Sequence, residues 1–162
     1  MAERTIDIIR QKYPRLLPER FGFECGEGWR QIIEDFFATV DRLLPADAKF
    51  NLRQLKEKLG GMRIYYRLEG VPGEIEGKIS DAYNRASARS YRVCEICGKR
   101  GRFSKRGGLL TVVCEDHLVD DFGKTAVPVQ PEADYLIRTK EGWFRYDYDL
   151  DAFLPTDPPE EH

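Results

Sequence analysis

Four residues stand at spacings that suit one metal ion. Cys94 and Cys97 form a C-x-x-C pair, sixteen residues follow, and Cys114 and His117 form a C-x-x-H pair. Each pair can make a tight knuckle that aims two donors at one point. Two knuckles joined by a hairpin complete the tetrahedron that Zn²⁺ favours in structural sites. Gly98, directly after Cys97, supplies a residue that tolerates positive φ. Arg102 to Ser104 and Leu109 to Val113 read as the strands of that hairpin, with Lys105–Gly108 as its turn. Four protein donors leave no open coordination position, so the expected cofactor is a structural Zn²⁺ and not a catalytic one. The zinc deaminase signature runs H-x-E and then C-x-x-C, an order this chain reverses. No βαβ context surrounds the cysteines, which argues against a thioredoxin-like redox pair.

Other chemistry is sparse. Cys25 lacks a histidine partner, because His117 is committed to the metal and His162 is the last residue. Glu34–Asp35 and Asp120–Asp121 are neighbours in sequence, and neighbours on a helix do not face each other. There is no Ser-His-Asp set, phosphate-binding loop or dinucleotide fingerprint. The reading is therefore a non-enzymatic protein with no small-molecule substrate.

Charge offers a second lead. The chain carries 26 basic and 28 acidic side chains, for a net charge of −2. Residues 85–113 hold eight cations (Arg85, Arg89, Arg92, Lys99, Arg100, Arg102, Lys105 and Arg106) against Glu95 alone. Residues 114–162 hold 4 basic and 13 acidic side chains. The basic block is a candidate contact for a partner or for nucleic-acid phosphates. The reading favoured over this is a solvated zinc loop that pairs with the acidic region after it, and the acidic tail over 155–162 is a candidate cover for it. Arg63, Tyr65 and Arg67 share one face of a strand, a mixture used for stacking on bases, although a half-exposed strand face explains it as well. Trp143, Phe144, Tyr146 and Tyr148 are a candidate partner patch or simply hairpin packing.

The elements that must position these groups follow from periodicity. Thr5 to Lys12 reads as a short helix, and FGFECGEGW as a glycine-rich loop. Trp29 to Leu44 is the clearest amphipathic helix, with Ile32, Ile33, Phe36, Phe37 and Val40 at helical spacing. Asn51 to Leu59 reads as a second, short helix: Asn51 caps it, Leu52, Leu55 and Leu59 share a face, and Gly60 and Gly61 end it. Met62 to Leu68 alternates as a strand. A helix over Glu74 to Ser90 has Ile75, Ile79, Ala82, Tyr83 and Ala86 as its buried stripe. The segment LVDDFGKTAVPVQPEAD reads as a linker. YLIRTKEGWFRYDYDL reads as an aromatic hairpin turning at Lys140–Gly142, and PTDPPEEH as a disordered end. No run of about 18 apolar residues suggests a membrane span, and the first twenty residues lack the apolar core of a signal peptide. A cytoplasmic location is expected.

The order of these motifs carries a resemblance. GW at a helix start, QLKEKLGGMRIYY, a helix with ASARS, and CEICG…CEDH together resemble a group of short bacterial and phage-encoded zinc-knuckle proteins over about residues 25–118. The resemblance implies a zinc-containing α+β domain carried on phages or other mobile elements. It implies no activity. By analogy, such a protein acts through protein–protein contacts, as an accessory factor or an inhibitor of bacterial defence. The expected architecture is α+β: an N-terminal helix–strand–helix region over 1–90, a zinc-ribbon-like knuckle module over 91–118, and a C-terminal extension over 119–162 with a β-hairpin and an acidic tail. A protein partner is expected, with nucleic acid as the alternative through the basic zinc-module loop.

Overall fold

The computed structural model describes residues 3–160. Helix α1 (Thr5–Lys12) leads through short turns into α2 (Arg30–Leu43). A hairpin of β1 (Lys49–Lys58) and β2 (Gly61–Glu69) follows, then α3 (Gly73–Ser90). Strands β3 (Arg102–Arg106) and β4 (Leu109–Val113) form the ribbon, and β5 (Val127–Pro128) adds to it. Strands β6 (Leu136–Thr139), β7 (Gly142–Asp147) and β8 (Ala152–Thr156) close the chain. The fold is mixed α+β with three small antiparallel sheets, ordered β1-β2, β4-β3-β5 and β6-β7-β8. Among the described residues, no helix is long and apolar enough to cross a membrane.

The main core lies where α2 and α3 cover the inner face of the β1–β2 hairpin, with α1 packed against α2. Ile32, Ile33, Phe36, Phe37 and Val40 of α2 bury the stripe its periodicity marks out. They meet Phe50, Leu52, Leu55, Met62 and Ile64 of the hairpin, and Ile79, Ala82 and Ala86 of α3. Fully burying side chains of this size stabilises by about 1.5–3 kcal/mol each.

One expected element is wrong in kind. Residues 51–59 are not a helix but most of strand β1 and its turn. The physical reason is a β-bulge. Register passes from Leu52 opposite Tyr66 to Gln54 opposite Tyr65, so Arg53 is an extra residue on β1. The bulge brings Leu52 and Leu55 to the same inner face at a spacing of three, which imitates helical period. Asn51 is not a cap but pairs with Arg67. Gly60 and Gly61 do not end a helix either. Leu59 (φ 53°) and Gly60 (φ 89°) form the two-residue turn between Lys58 and Gly61. Both turn residues have positive φ, the signature of a type I′ turn.

Leu59 is exposed and sits in a left-handed conformation that costs a branched-chain residue about 1 kcal/mol. Replacing it with Asn, which suits that conformation, is expected to raise stability by about 0.5–1 kcal/mol. The readout is a higher urea midpoint at unchanged slope. A lower midpoint would show that Leu59 makes a folding contact that outweighs its strain.

The C-terminal region is more ordered than expected. The linker donates β5 to the ribbon, with Ser104 opposite Pro128 and Lys105 opposite Val127. The aromatic hairpin is a three-stranded sheet, since β8 pairs along β7. Pro155 and Thr156, expected within a disordered end, belong to β8, where proline is tolerated because the strand is an edge. Residues 157–160 have no regular structure, and 161–162 lie outside the described residues.

Candidate metal centre

The first knuckle follows α3. Val93 bridges Arg100, the Cys94 amide donates to the Lys99 carbonyl (2.7 Å), and the Gly98 amide donates to the Cys94 carbonyl (2.9 Å). Gly98 takes φ 86°, the left-handed conformation that closes this turn. The second knuckle follows β4, where the His117 amide donates to the Cys114 carbonyl (3.0 Å) in a tight helical turn. The β3–β4 pairing, Arg102 with Val113 through Arg106 with Leu109, brings the two knuckles together.

The donor atoms of Cys94, Cys97, Cys114 and His117 all lie within 4.8 Å of one another and could hold a metal ion. The shape of the cluster is informative. Tetrahedral Zn²⁺ with Zn–S of about 2.3 Å and Zn–N of about 2.0–2.1 Å has edges of about 3.8 Å between sulfurs and about 3.6 Å between sulfur and nitrogen. Cys97 Sγ and Cys114 Sγ are 3.6 Å apart, Cys94 Sγ and His117 Nδ1 3.7 Å, and Cys114 Sγ and His117 Nδ1 3.3 Å. The donor set and its spacing therefore fit this metal. Burial pushes the Cys94 thiol up, but amides of Cys97, Cys114 and Ile96 turned toward its sulfur more than offset this and hold it below the ordinary thiol range. Such amide donation favours the thiolate that a metal binds.

The knuckle is locked to the core by the GEGW loop. The Gly28 amide donates to the Glu95 carbonyl (2.8 Å) and the Gly26 amide to the Glu95 side chain (2.9 Å). Trp29 is fully buried, and its indole N–H donates to the Val93 carbonyl (3.0 Å). Both glycines are there for space. A Cβ on Gly28 would sit 2.2 Å from the Cys94 carbonyl oxygen, and one on Gly26 2.3 Å from that of Glu95. The hairpin turn is fitted the same way, since a Cβ on Gly61 would meet the Tyr91 ring at 2.2 Å. Thus two glycine motifs that read as a loop and a helix end are contact points for the segment that carries the Cys/His cluster.

The basic block is largely consumed internally. Arg92, Arg100 and Arg102 converge on Glu132 at 3.4, 3.0 and 3.5 Å. Arg89 pairs with Asp35 (2.8 Å) and reaches Asp151 (3.9 Å), as does Arg85 (4.0 Å). Lys99 pairs with Asp116 (2.8 Å) and Arg106 with Asp120 (3.8 Å). Lys105 alone of the eight has no ion pair among the described residues. The pairing with the acidic region after the ribbon falls chiefly to Glu132, which clamps the C-terminal region onto the ribbon.

Of the aromatic residues in and just after β7, one is buried and the others are partly covered. Tyr146 is buried, donates to Asp151 (2.7 Å) and meets Phe153 edge-on. Tyr148 lies under the Arg100 guanidinium at 4.8 Å, and Trp143 and Phe144 are half-buried. Cys25 is partly buried, and burial with the carboxylates of Glu95, Glu27 and Glu57 pushes its thiol up to about 12, the opposite of an activated nucleophile. No protein family, curated protein or solved structure matches the chain.

Proposed function

We propose that this is a zinc-stapled binding protein that works by contact with a protein partner and carries out no chemistry of its own. Three thiolates and an imidazole are the donor set of structural zinc sites, and four protein ligands close the shell. Bound Zn²⁺ would fix the ribbon against the GEGW loop and leave its outer surface to recognise a partner. An inhibitory or accessory role on a phage or other mobile element draws its support from the resemblance over residues 25–118.

The observation that carries the protein-binding reading is Phe122. Its side chain is 91% exposed, yet the loop that presents it is closed and hydrogen-bonded. Asp120 accepts from the amides of Phe122 (2.9 Å) and Lys124 (2.8 Å), and Val119 bridges Thr125. Asp120 is in turn held by Arg106. An aromatic ring fixed in water by a rigid loop has the form of an interface anchor. Leu109 and Val119 of the same module are also exposed.

The test is capture of host proteins on immobilised wild type and on Phe122→Ala. The variant should keep its melting temperature, because Phe122 packs on nothing, and should lose a protein that the wild type retains. Identical captures would contradict the reading.

A further inference from the structure

Six cations without an ion pair among the described residues lie together away from the zinc loop, on the outer face of the β1–β2 hairpin. Because β1 is a strand and not a helix, its outward residues join those of β2 on one surface. Lys56 stands opposite Arg63, Gln54 opposite Tyr65, and Asn51 opposite Arg67. Lys49 and Lys58 extend the same face to its two ends, and the bulge adds Arg53. None of these six cations has a carboxylate within 4.0 Å among the described residues, in contrast to seven of the eight in the basic block. The acids nearby are Glu69, opposite Lys49, and Glu24, which lines the β1 edge and holds Gln54.

One aromatic ring sits in the middle of this field. Tyr65 is 41% exposed, flanked along its strand by Arg63 and Arg67, with the Lys56 ammonium 5.8 Å from the ring centroid. Arg63 is fixed by the Tyr91 hydroxyl (3.1 Å), so part of the cationic surface is already ordered. A ten-residue strand makes this face about 30 Å long. Cations spaced along a strip, with a ring to stack on and amide side chains between, match the chemistry of a single-stranded nucleic acid: phosphates on a rim and bases on a π-face. A protein partner would call for an apolar centre, which this face lacks. A membrane surface would call for several apolar residues to insert, whereas the hairpin offers only Leu59 at its turn beside Tyr65 on its face.

We infer that the outer face of the β1–β2 hairpin binds single-stranded RNA or DNA, with Tyr65 stacking on a base and Lys49, Lys56, Arg63 and Arg67 on phosphates. This surface is separate from Phe122, so the two assignments stand or fall independently, and Phe122→Ala is expected to bind nucleic acid as the wild type does.

The experiment is fluorescence anisotropy with labelled twelve-residue oligothymidylate and oligouridylate on the zinc-loaded protein, titrated from 20 to 200 mM KCl. Four to six phosphate contacts predict a log–log salt slope of about −3 to −4. Tyr65→Ala should weaken binding about tenfold and Tyr65→Phe should restore it to within about twofold, since the ring and not the hydroxyl stacks. Lys56→Ala combined with Arg67→Ala should reduce the slope by about 1.4. Lys105→Ala on the zinc loop should leave both affinity and slope unchanged. Binding that is absent at 20 mM salt would overturn the inference. So would binding that a duplex or polyglutamate competes for equally, or that falls with Lys105→Ala and not with the hairpin variants. Circular dichroism and zinc content of each variant separate loss of binding from loss of fold.

Discussion

Cys114→Ser should unfold the ribbon and loosen the start of α2 with it. Zinc binding to small ribbons is coupled to folding, with apparent free energies of about 10–16 kcal/mol in isolated fingers. A whole domain has only about 5–15 kcal/mol of net stability, so losing even half of that coupling removes much of the reserve. Beyond the GEGW contacts and the Glu132 ion pairs, the module has only a small buried cluster of its own, Cys94, Val113, Cys114 and Ala126 with Leu118 against them. The effect is expected to travel. Glu95 accepts the Gly26 and Gly28 amides, and Val93 accepts the Trp29 indole, so releasing the knuckle releases the GEGW loop. In a Trp143→Phe background, which leaves Trp29 as the sole indole, Cys114→Ser or chelation should shift emission to the red. Amide exchange at Gly26 and Gly28 should rise in parallel. An unshifted Trp29 spectrum after complete metal removal would mean that the core holds the loop without the knuckle.

Gly28→Ala is the second large effect, and it reaches the same joint from the other side. The added Cβ would lie 2.2 Å from the Cys94 carbonyl oxygen and 2.6 Å from that of Glu95. These are backbone atoms of the knuckle and cannot swing away as a side chain would. Either the knuckle moves off the loop, with loss of the Gly28 hydrogen bond, or the Trp29 indole leaves its pocket. Overpacking of this kind costs about 1–3 kcal/mol, and the lost buried hydrogen bonds add about 1–3 kcal/mol. The expected total of about 2–6 kcal/mol should appear as a drop in the denaturant midpoint together with weaker zinc retention against a chelator. Gly22→Ala is the control, because nothing lies within 4 Å of its Cβ. A Gly28→Ala protein with wild-type stability would refute the interlocked loop and knuckle.

Much of this was legible in the residues, and the failures have physical causes. The cluster of Cys94, Cys97, Cys114 and His117 was readable because C-x-x-C and C-x-x-H spacing is fixed by knuckle geometry, which is local. Helices α2 and α3 were readable because their apolar stripes follow the 3.6 period without interruption. Strand β1 was not, because the bulge at Arg53 turned a period of two into a spacing of three between Leu52 and Leu55. That single extra residue also hid the basic hairpin face, since Arg53, Lys56 and Lys58 seemed to sit on a helix apart from the strand of Arg63 and Arg67. The fate of the basic block was open for another reason. Glu132, which takes up three arginines, lies about thirty residues or more beyond them, and no periodicity links residues that distant. The glycines of GEGW and KLGG were visible, but their purpose was not, because the Cys94 carbonyl and the Tyr91 ring that exclude a Cβ arrive from elsewhere in the chain.

The metal content of the purified protein tests the central claim most directly. Elemental analysis with native mass spectrometry should find one zinc per chain, and Cys94→Ser or His117→Ala should lower that figure in proportion to the loss of folded ribbon. A wild-type chain that is fully folded, takes up no zinc on reconstitution under reducing conditions, and keeps its melting temperature in excess chelator would contradict the account.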